Sequence, residues 1–164
     1  MKFFKDNEYS FAINITREDF MGEYLVEFIS YKCDYYGVNP ERIYIEILEN
    51  ISTEATTGFL NQIHDLKALG CNISIDDFGV DSSNFSRMMQ IKAEILKIDG
   101  HFIQQLLEDE NAKIIVENIV DFSKKIGAKT VAEYVDSPEL HKLVIEMCID
   151  YSQGFFIGEP RAYV

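Results

Sequence analysis

Six short apolar segments alternate along the chain with longer segments in which apolar residues recur every three or four positions. The short segments have the length and composition of buried β-strands, and the longer ones those of amphipathic helices. This alternation predicts an α/β fold with a mostly parallel sheet covered by helices. The predicted strands lie at residues 11–16, 42–48, 72–77, 94–99, 130–135 and 149–157.

Several helix boundaries can be predicted from local signals. Thr16, followed by acidic residues, is a typical N-cap, and the helix after it is predicted to end by Gly37. Ser137 before Pro138 is a typical helix start, and a helical break is expected near Asp109. The first of these helices places six large apolar residues at core spacing, namely Phe20, Met21, Tyr24, Leu25, Phe28 and Ile29.

Each predicted strand also carries a polar side chain near its carboxyl end. An open sheet covered on both sides by helices would have two apolar faces, whereas a β/α barrel converges one face of every strand on its active-site mouth. The pattern therefore favours a barrel. The converging residues are Asn14, Glu46, Asp76, Asp77, Lys97, Glu133 and Gln153.

The converging set is rich in carboxylates and poor in His and Cys. Oxygen ligands of this kind suit Mg²⁺ or Mn²⁺, and two such ions are the usual device for attack of water on a phosphodiester. Lys97 could orient the water or neutralise charge on phosphate. Because adjacent strand residues point to opposite faces, Asp76 and Asp77 can share a metal only if the strand bends at its end.

Other interpretations of these residues stay open. The two aspartates could cap backbone amides in a turn, and Lys97 could pair with Asp99 or form a Schiff base as in a barrel lyase. Glu49 is either a helix N-terminal carboxylate or an anchor for a metal-site loop. His64, His101 and His141 show no ligand spacing and are predicted to be structural or solvent-facing.

The amino-acid composition limits which partners the protein can bind and in which cellular compartment it is expected. With 164 residues, 47% hydrophobic content and a net charge of −13, the chain is predicted to form one acidic domain. The charge argues against duplex nucleic acid or an anionic membrane as partner. Three cysteines without a Cys-x-x-Cys pair indicate neither a disulfide framework nor a zinc site. Together with the lack of a long apolar segment, these features predict a cytoplasmic location.

Six short segments carry a family resemblance, namely residues 12–16, 46–49, 76–79, 96–99, 131–133 and 153–156. In order and in spacing they resemble the EAL-domain family of bacterial cyclic di-GMP phosphodiesterases. The resemblance implies a (β/α)₈ TIM-barrel-like fold that uses two Mg²⁺ or Mn²⁺ ions to hydrolyse cyclic di-GMP to linear pGpG. It further implies metal ligation by Asn14, Glu46, Asp76, Asp77 and Glu133. Lys97 and Glu49 would have catalytic roles, and Gln153 and Asp99 would line the substrate site.

The chain also departs from the family pattern. The Glu-Ala-Leu segment is absent, so residues 1–164 are expected to form a partial EAL domain of about six β/α units without the first strands. Open sheet edges invite pairing, which predicts a homodimer or other self-association. Val80-Asp81-Ser82 and Asp136 differ from the usual residues, and Tyr134 replaces a usual glycine. The alternative function is therefore a non-catalytic module that binds cyclic di-GMP or a protein partner.

Overall fold

The computed structural model describes residues 1, 8–22, 24–53, 57–80 and 85–161, with the backbone alone at residues 52, 53 and 85. Six strands belong to one sheet, and their order in the sheet follows their order in the chain. The strands are β1 (Phe11–Asn14), β2 (Ile43–Leu48), β3 (Asn72–Phe78), β4 (Ile95–Ile98), β5 (Lys129–Ala132) and β6 (Tyr151–Ser152). The helices are α1 (Arg17–Met21), α2 (Leu25–Tyr36), α3 (Glu49–Thr53), α4 (Thr57–Leu69), α5 (Phe85–Ile91), α6 (Gly100–Gln105), α7 (Glu110–Ile126) and α8 (Pro138–Glu146).

Helices separate all six strands, so the predicted alternation is confirmed. The chain divides into two compact units, one of Met1–Ile75 with Asn84–Glu94 and one of Asp76–Ser83 with Ile95–Val164. Within the described residues, no helix combines the length and apolar character that crossing a bilayer requires.

In the first unit, β1 and β2 pair in parallel, with Asn14 opposite Glu46 at the carboxyl ends of the two strands. The odd-numbered residues of β2, Ile43, Ile45 and Ile47, have no exposed surface. The residue between the last two, Glu46, is partly exposed. This two-residue periodicity gives β2 a fully apolar face and a face that can carry polar groups.

The helix predicted from Thr16 to Gly37 is instead two helices, α1 and α2. Thr16 does cap α1, since its Oγ1 accepts from Asp19 N–H while the Asp19 carboxylate accepts from Thr16 N–H. The helix then ends at Gly22, whose extended backbone (φ −79°, ψ 130°) breaks the helical periodicity. Of the six residues predicted at core spacing, Phe20, Leu25 and Ile29 are buried, whereas three are exposed: Met21, Tyr24 and Phe28.

In the second unit, β4 pairs with β5 and β5 with β6, both in parallel. The predicted break at Asp109 is confirmed, because Asp109 caps α7 by accepting from Asn111 N–H. The predicted start of α8 is confirmed as well, with Ser137 Oγ accepting from Leu140 N–H. One face of α7 is buried, comprising Ala112, Val116, Ile119, Val120 and Ser123.

The last strand is shorter than predicted, at two residues rather than residues 149–157. Beyond it, Gln153 still joins the neighbouring segment, donating its N–H to Ala132 and accepting from Val135 N–H. Gly154 then lies directly on the backbone of Val135, where a Cβ would come within 2.2 Å of the carbonyl oxygen. The chain just after β6 thus stays close to the residues that follow β5.

Candidate metal centre

Asp76 and Asp77 are consecutive residues near the end of β3, in the second unit. Alternation along a regular strand would direct their side chains to opposite faces. Asp77, however, has a left-handed backbone with φ 55°, a conformation that aspartate tolerates better than most residues. The strand therefore bends at its end, as the shared-metal hypothesis requires.

The bend brings three carboxylates together. One oxygen each from Asp76, Asp77 and Glu133 can be chosen so that all lie within 4.8 Å of one another. Asp76 and Asp77 come from β3, and Glu133 directly follows β5. These three residues define the carboxylate cluster.

Lys97 of β4 lies against this cluster and is 7% exposed. Its Nζ is 2.8 Å from Asp76 Oδ1 and 2.9 Å from Glu133 Oε1. Burying an ammonium group costs several kcal/mol unless opposite charges surround it. The two carboxylates therefore stabilise Lys97 in its charged form.

Burial and mutual repulsion raise the pKa of two of the three acids. The pKa of Glu133 is raised chiefly by burial, an effect that the Lys97 contact reduces and the charges of Asp76 and Asp77 increase. The pKa of Asp77 is raised by burial first, then by the charges of Asp76 and Asp99 and by a hydrogen bond with Asp99. The charged forms of Glu133 and Asp77 are thus disfavoured, and an added cation would stabilise them.

These residues fit the chemistry of a hard divalent cation. Mg²⁺, Mn²⁺ and Ca²⁺ prefer carboxylate oxygens, and three such oxygens from two strands converge here. Asp76, Asp77 and Glu133 would hold the ion, with Lys97 beside it.

Asn14 and Glu46 belong to the first unit and face each other across the β1–β2 pair. With Thr16, Arg17 and other residues they line a cavity of about 360 Å³. Glu49 begins α3 and is 2% exposed, so it combines the helix N-terminal position with the burial expected of an anchoring group. The structure brings Asn14 and Glu46 together within this unit, and their metal-binding roles stay predictions.

The two residues predicted to line the substrate site, Asp99 and Gln153, differ in their surroundings. Asp99 caps α6, accepting from His101 N–H at 2.7 Å, and it also contacts Asp77. Asp76 and Glu133 are ion-pair partners of Lys97, and the Lys97–Asp99 pair stays a prediction. Gln153 is exposed directly after β6.

The left-handed backbone of Tyr134 could not be predicted from the sequence pattern. It follows Glu133, has a left-handed backbone (φ 53°) and is 63% exposed. The only signal in the sequence was the replacement of a usual glycine at this position, since glycine adopts positive φ without strain. Two of the other departures, Asp81 and Ser82, lie outside the described residues.

The fold and this site together define an α/β protein with an acidic cluster at the carboxyl ends of its strands. The EAL domain family model matches residues 1–160, so the chain belongs to the EAL domain family. Its relatives include two proteins of Escherichia coli K12. The "Probable cyclic di-GMP phosphodiesterase PdeA" is 31% identical over 77% of this chain and 17% of the relative. The "Cyclic di-GMP phosphodiesterase PdeF" is 29% identical over 94% of this chain and 21% of the relative.

A solved structure described as "PaMucR Phosphodiesterase, c-di-GMP complex" has the same fold. It superimposes with a TM-score of 0.88 at 28% identity, covering 92% of this chain and 61% of that one. The fold is thus TIM-barrel-like, of the EAL type. The chain spans about a fifth of the length of the two curated relatives.

Proposed function

We propose that this chain is a cyclic di-GMP phosphodiesterase domain, which hydrolyses cyclic di-GMP to linear pGpG. The observation that carries the proposal is the buried contact of Lys97 with a cluster of three carboxylates. Membership in the EAL domain family supports it, as do relatives named cyclic di-GMP phosphodiesterases.

The reaction consumes one water molecule. Its oxygen bonds to phosphorus, one phosphorus–O3′ bond breaks, and the departing ribose oxygen gains a proton. Two Mg²⁺ or Mn²⁺ ions, when bound, would supply charge stabilisation for the entering and leaving oxygens. Asp76, Asp77 and Glu133 would hold the ions, and Asn14 and Glu46 are proposed as further ligands.

The remaining residues would position the reactants. The Lys97 ammonium would orient the water or neutralise charge that develops on the phosphate. Glu49 would steady the loop that follows Asp77, while Gln153 and Asp99 would line the substrate site. This proposal also includes a cytoplasmic location, without duplex nucleic acid or membrane as partner. Self-association would occur through the strands at the two ends of the sheet order, β1 and β6.

The direct test is incubation of the chain with cyclic di-GMP and Mn²⁺, with pGpG separated by chromatography. Formation of pGpG by the unaltered chain, and its loss in Asp76→Ala and Glu46→Ala, are expected. Asp121→Ala changes an exposed aspartate of α7 and is the control. Normal turnover in Asp76→Ala would refute the assignment of the cluster.

The alternative is a receptor that binds cyclic di-GMP without hydrolysing it. Binding of cyclic di-GMP by the full-length protein, with no pGpG formed in Mg²⁺ or Mn²⁺, would establish that alternative. The lyase hypothesis for Lys97 is disfavoured by its two carboxylate neighbours, because a Schiff base forms from the neutral amine and these neighbours stabilise the charged form. Trapping of a substrate adduct on Lys97 with borohydride would instead support the lyase hypothesis.

A further inference from the structure

The backbone of Tyr134 has a conformation that is unfavourable for a residue with a side chain. Its φ of 53° lies in the left-handed region, where the Cβ of an L-residue meets steric resistance that glycine lacks. With 63% of its surface exposed, the residue regains little of this cost through burial. Residues with a strained backbone cluster at functional sites. We therefore consider a functional role for the Tyr134 ring.

The position of the ring is determined by Gly100. A Cβ on Gly100 would lie 2.1 Å from Cδ2 and 2.8 Å from Cγ of Tyr134, so the ring lies directly on this glycine. Any other residue at position 100 would displace the ring. One part of the ring is thereby held against the backbone, and the rest faces solvent.

Both segments that hold the ring also carry acids of the site. Tyr134 directly follows Glu133, a member of the carboxylate cluster. Gly100 directly follows Asp99, whose charge helps to raise the pKa of the cluster member Asp77. The ring therefore belongs to the residue that follows Glu133 of the cluster, and it rests on the residue that follows Asp99.

We propose that Tyr134 is a specificity-determining residue that stacks on a purine base of the nucleotide whose phosphate reaches the carboxylate cluster. This inference rests on the proposed function. Aromatic rings bind bases through their faces, and a ring already held by Gly100 loses little conformational freedom when a base covers it. The side chain of Tyr134 thus supplies an apolar surface beside an otherwise acidic site.

The first test compares Tyr134→Gly with the unaltered chain in Mn²⁺. The dissociation constant for cyclic di-GMP is measured by stopped-flow mixing, before turnover, and stability by urea unfolding. We expect affinity to fall by roughly tenfold, while stability stays equal or rises because glycine relieves the strained φ. Tyr134→Phe keeps the ring and is expected to bind within about twofold of the unaltered chain.

A second variant changes Gly100, the residue on which the Tyr134 ring rests. Gly100→Ala would push the ring from its position and weaken binding when Tyr134 is present. In the Tyr134→Gly background the same alanine meets no ring, so it should leave affinity unchanged. Such non-additivity is the signature of two residues that act through one contact.

Two negative outcomes are distinguishable. If the unaltered chain does not bind cyclic di-GMP, the proposed function fails and the role of Tyr134 fails with it. If the unaltered chain binds and Tyr134→Gly binds equally well, only the role of Tyr134 is overturned. A parallel fall of stability and affinity in Tyr134→Gly would also overturn it, since the ring would then serve the fold.

Discussion

The Nζ of Lys97 lies 2.8 Å from Oδ1 of Asp76, and only 9% of the lysine side chain and 18% of the aspartate side chain are exposed. This ion pair lies within the carboxylate cluster. It places a protein cation where the acids would also attract a metal ion.

Replacing Lys97 with Met keeps much of the volume and removes the charge. Without metal we expect a loss of about 3 kcal/mol in unfolding free energy, because buried carboxylates lose their counter-charge. Mn²⁺ should bind several-fold more tightly, since the competing ammonium is gone. Urea unfolding and calorimetric titration with Mn²⁺ measure the two effects.

Lys113→Met is the matched control, since Lys113 pairs with Glu110 on the surface of α7. It should change stability by less than about 0.5 kcal/mol. Unchanged Mn²⁺ affinity in Lys97→Met would show that Lys97 does not border the metal.

Substitutions of Asp77 separate its backbone conformation from its charge. Asp77→Gly and Asp77→Asn tolerate positive φ and should keep the fold, whereas Asp77→Val should lose about 1–2 kcal/mol of stability. All three should weaken Mn²⁺ binding because each removes a carboxylate. If Asp77→Val were as stable as Asp77→Asn, the left-handed backbone would not be a structural requirement.

Gly154→Ala should destabilise the second unit by about 3 kcal/mol, because the new Cβ would meet the Val135 backbone at 2.2 Å. Gly158→Ala is a suitable control, since a Cβ there has no neighbour within 4 Å among the described residues. Urea unfolding of both variants measures the difference. Equal stabilities would mean that the close approach of Gly154 is not needed.

We expect Asp150 to contribute to the stability of the fold in a way that depends on pH. Burial opposes its ionisation, but hydrogen bonds from Lys129 and Thr130 outweigh this effect and lower its pKa. Because the folded-state pKa lies below the unfolded value of about 3.9, the stabilisation is complete above that pH and is lost as the pH falls through the folded-state pKa.

Asp150→Asn should therefore cost about 1 kcal/mol at neutral pH, and this cost should shrink as the pH falls through the folded-state pKa of Asp150. Urea unfolding at a series of pH values tests this, with Asp121→Asn on α7 expected to match the unaltered chain throughout. A deficit that persists undiminished in acid would mean that the charge of Asp150 is irrelevant.

Local signals predicted the element types and several boundaries. Thr16, Asp109 and Ser137 each cap a helix through their own side chains, so a single residue and its neighbours suffice to predict the helix start. The alternation of short apolar segments with longer amphipathic ones likewise predicted the six strands and the helices between them. Pattern reasoning failed at Gly22, because three-four spacing continued across the break.

Other features depend on contacts between distant segments. The short β6 ends where Gly154 meets Val135, and the ring of Tyr134 rests on Gly100. The site acids Asp76, Asp77 and Glu133 were predicted to converge, and they do. Their roles as ligands stay predictions. The sequence does not predict the bend at Asp77, since the alternation of side chains along a strand does not reveal where that alternation is interrupted.

The left-handed Asp77 has a consequence for how the cluster tolerates mutation. Asp76 and Asp77 are joined by one peptide bond, so their separation depends on local covalent geometry. Glu133, by contrast, is positioned by the packing of a different strand. Substitutions that shift strands in the core should thus alter the position of the third acid while leaving the aspartate pair intact as a preassembled pair of carboxylates.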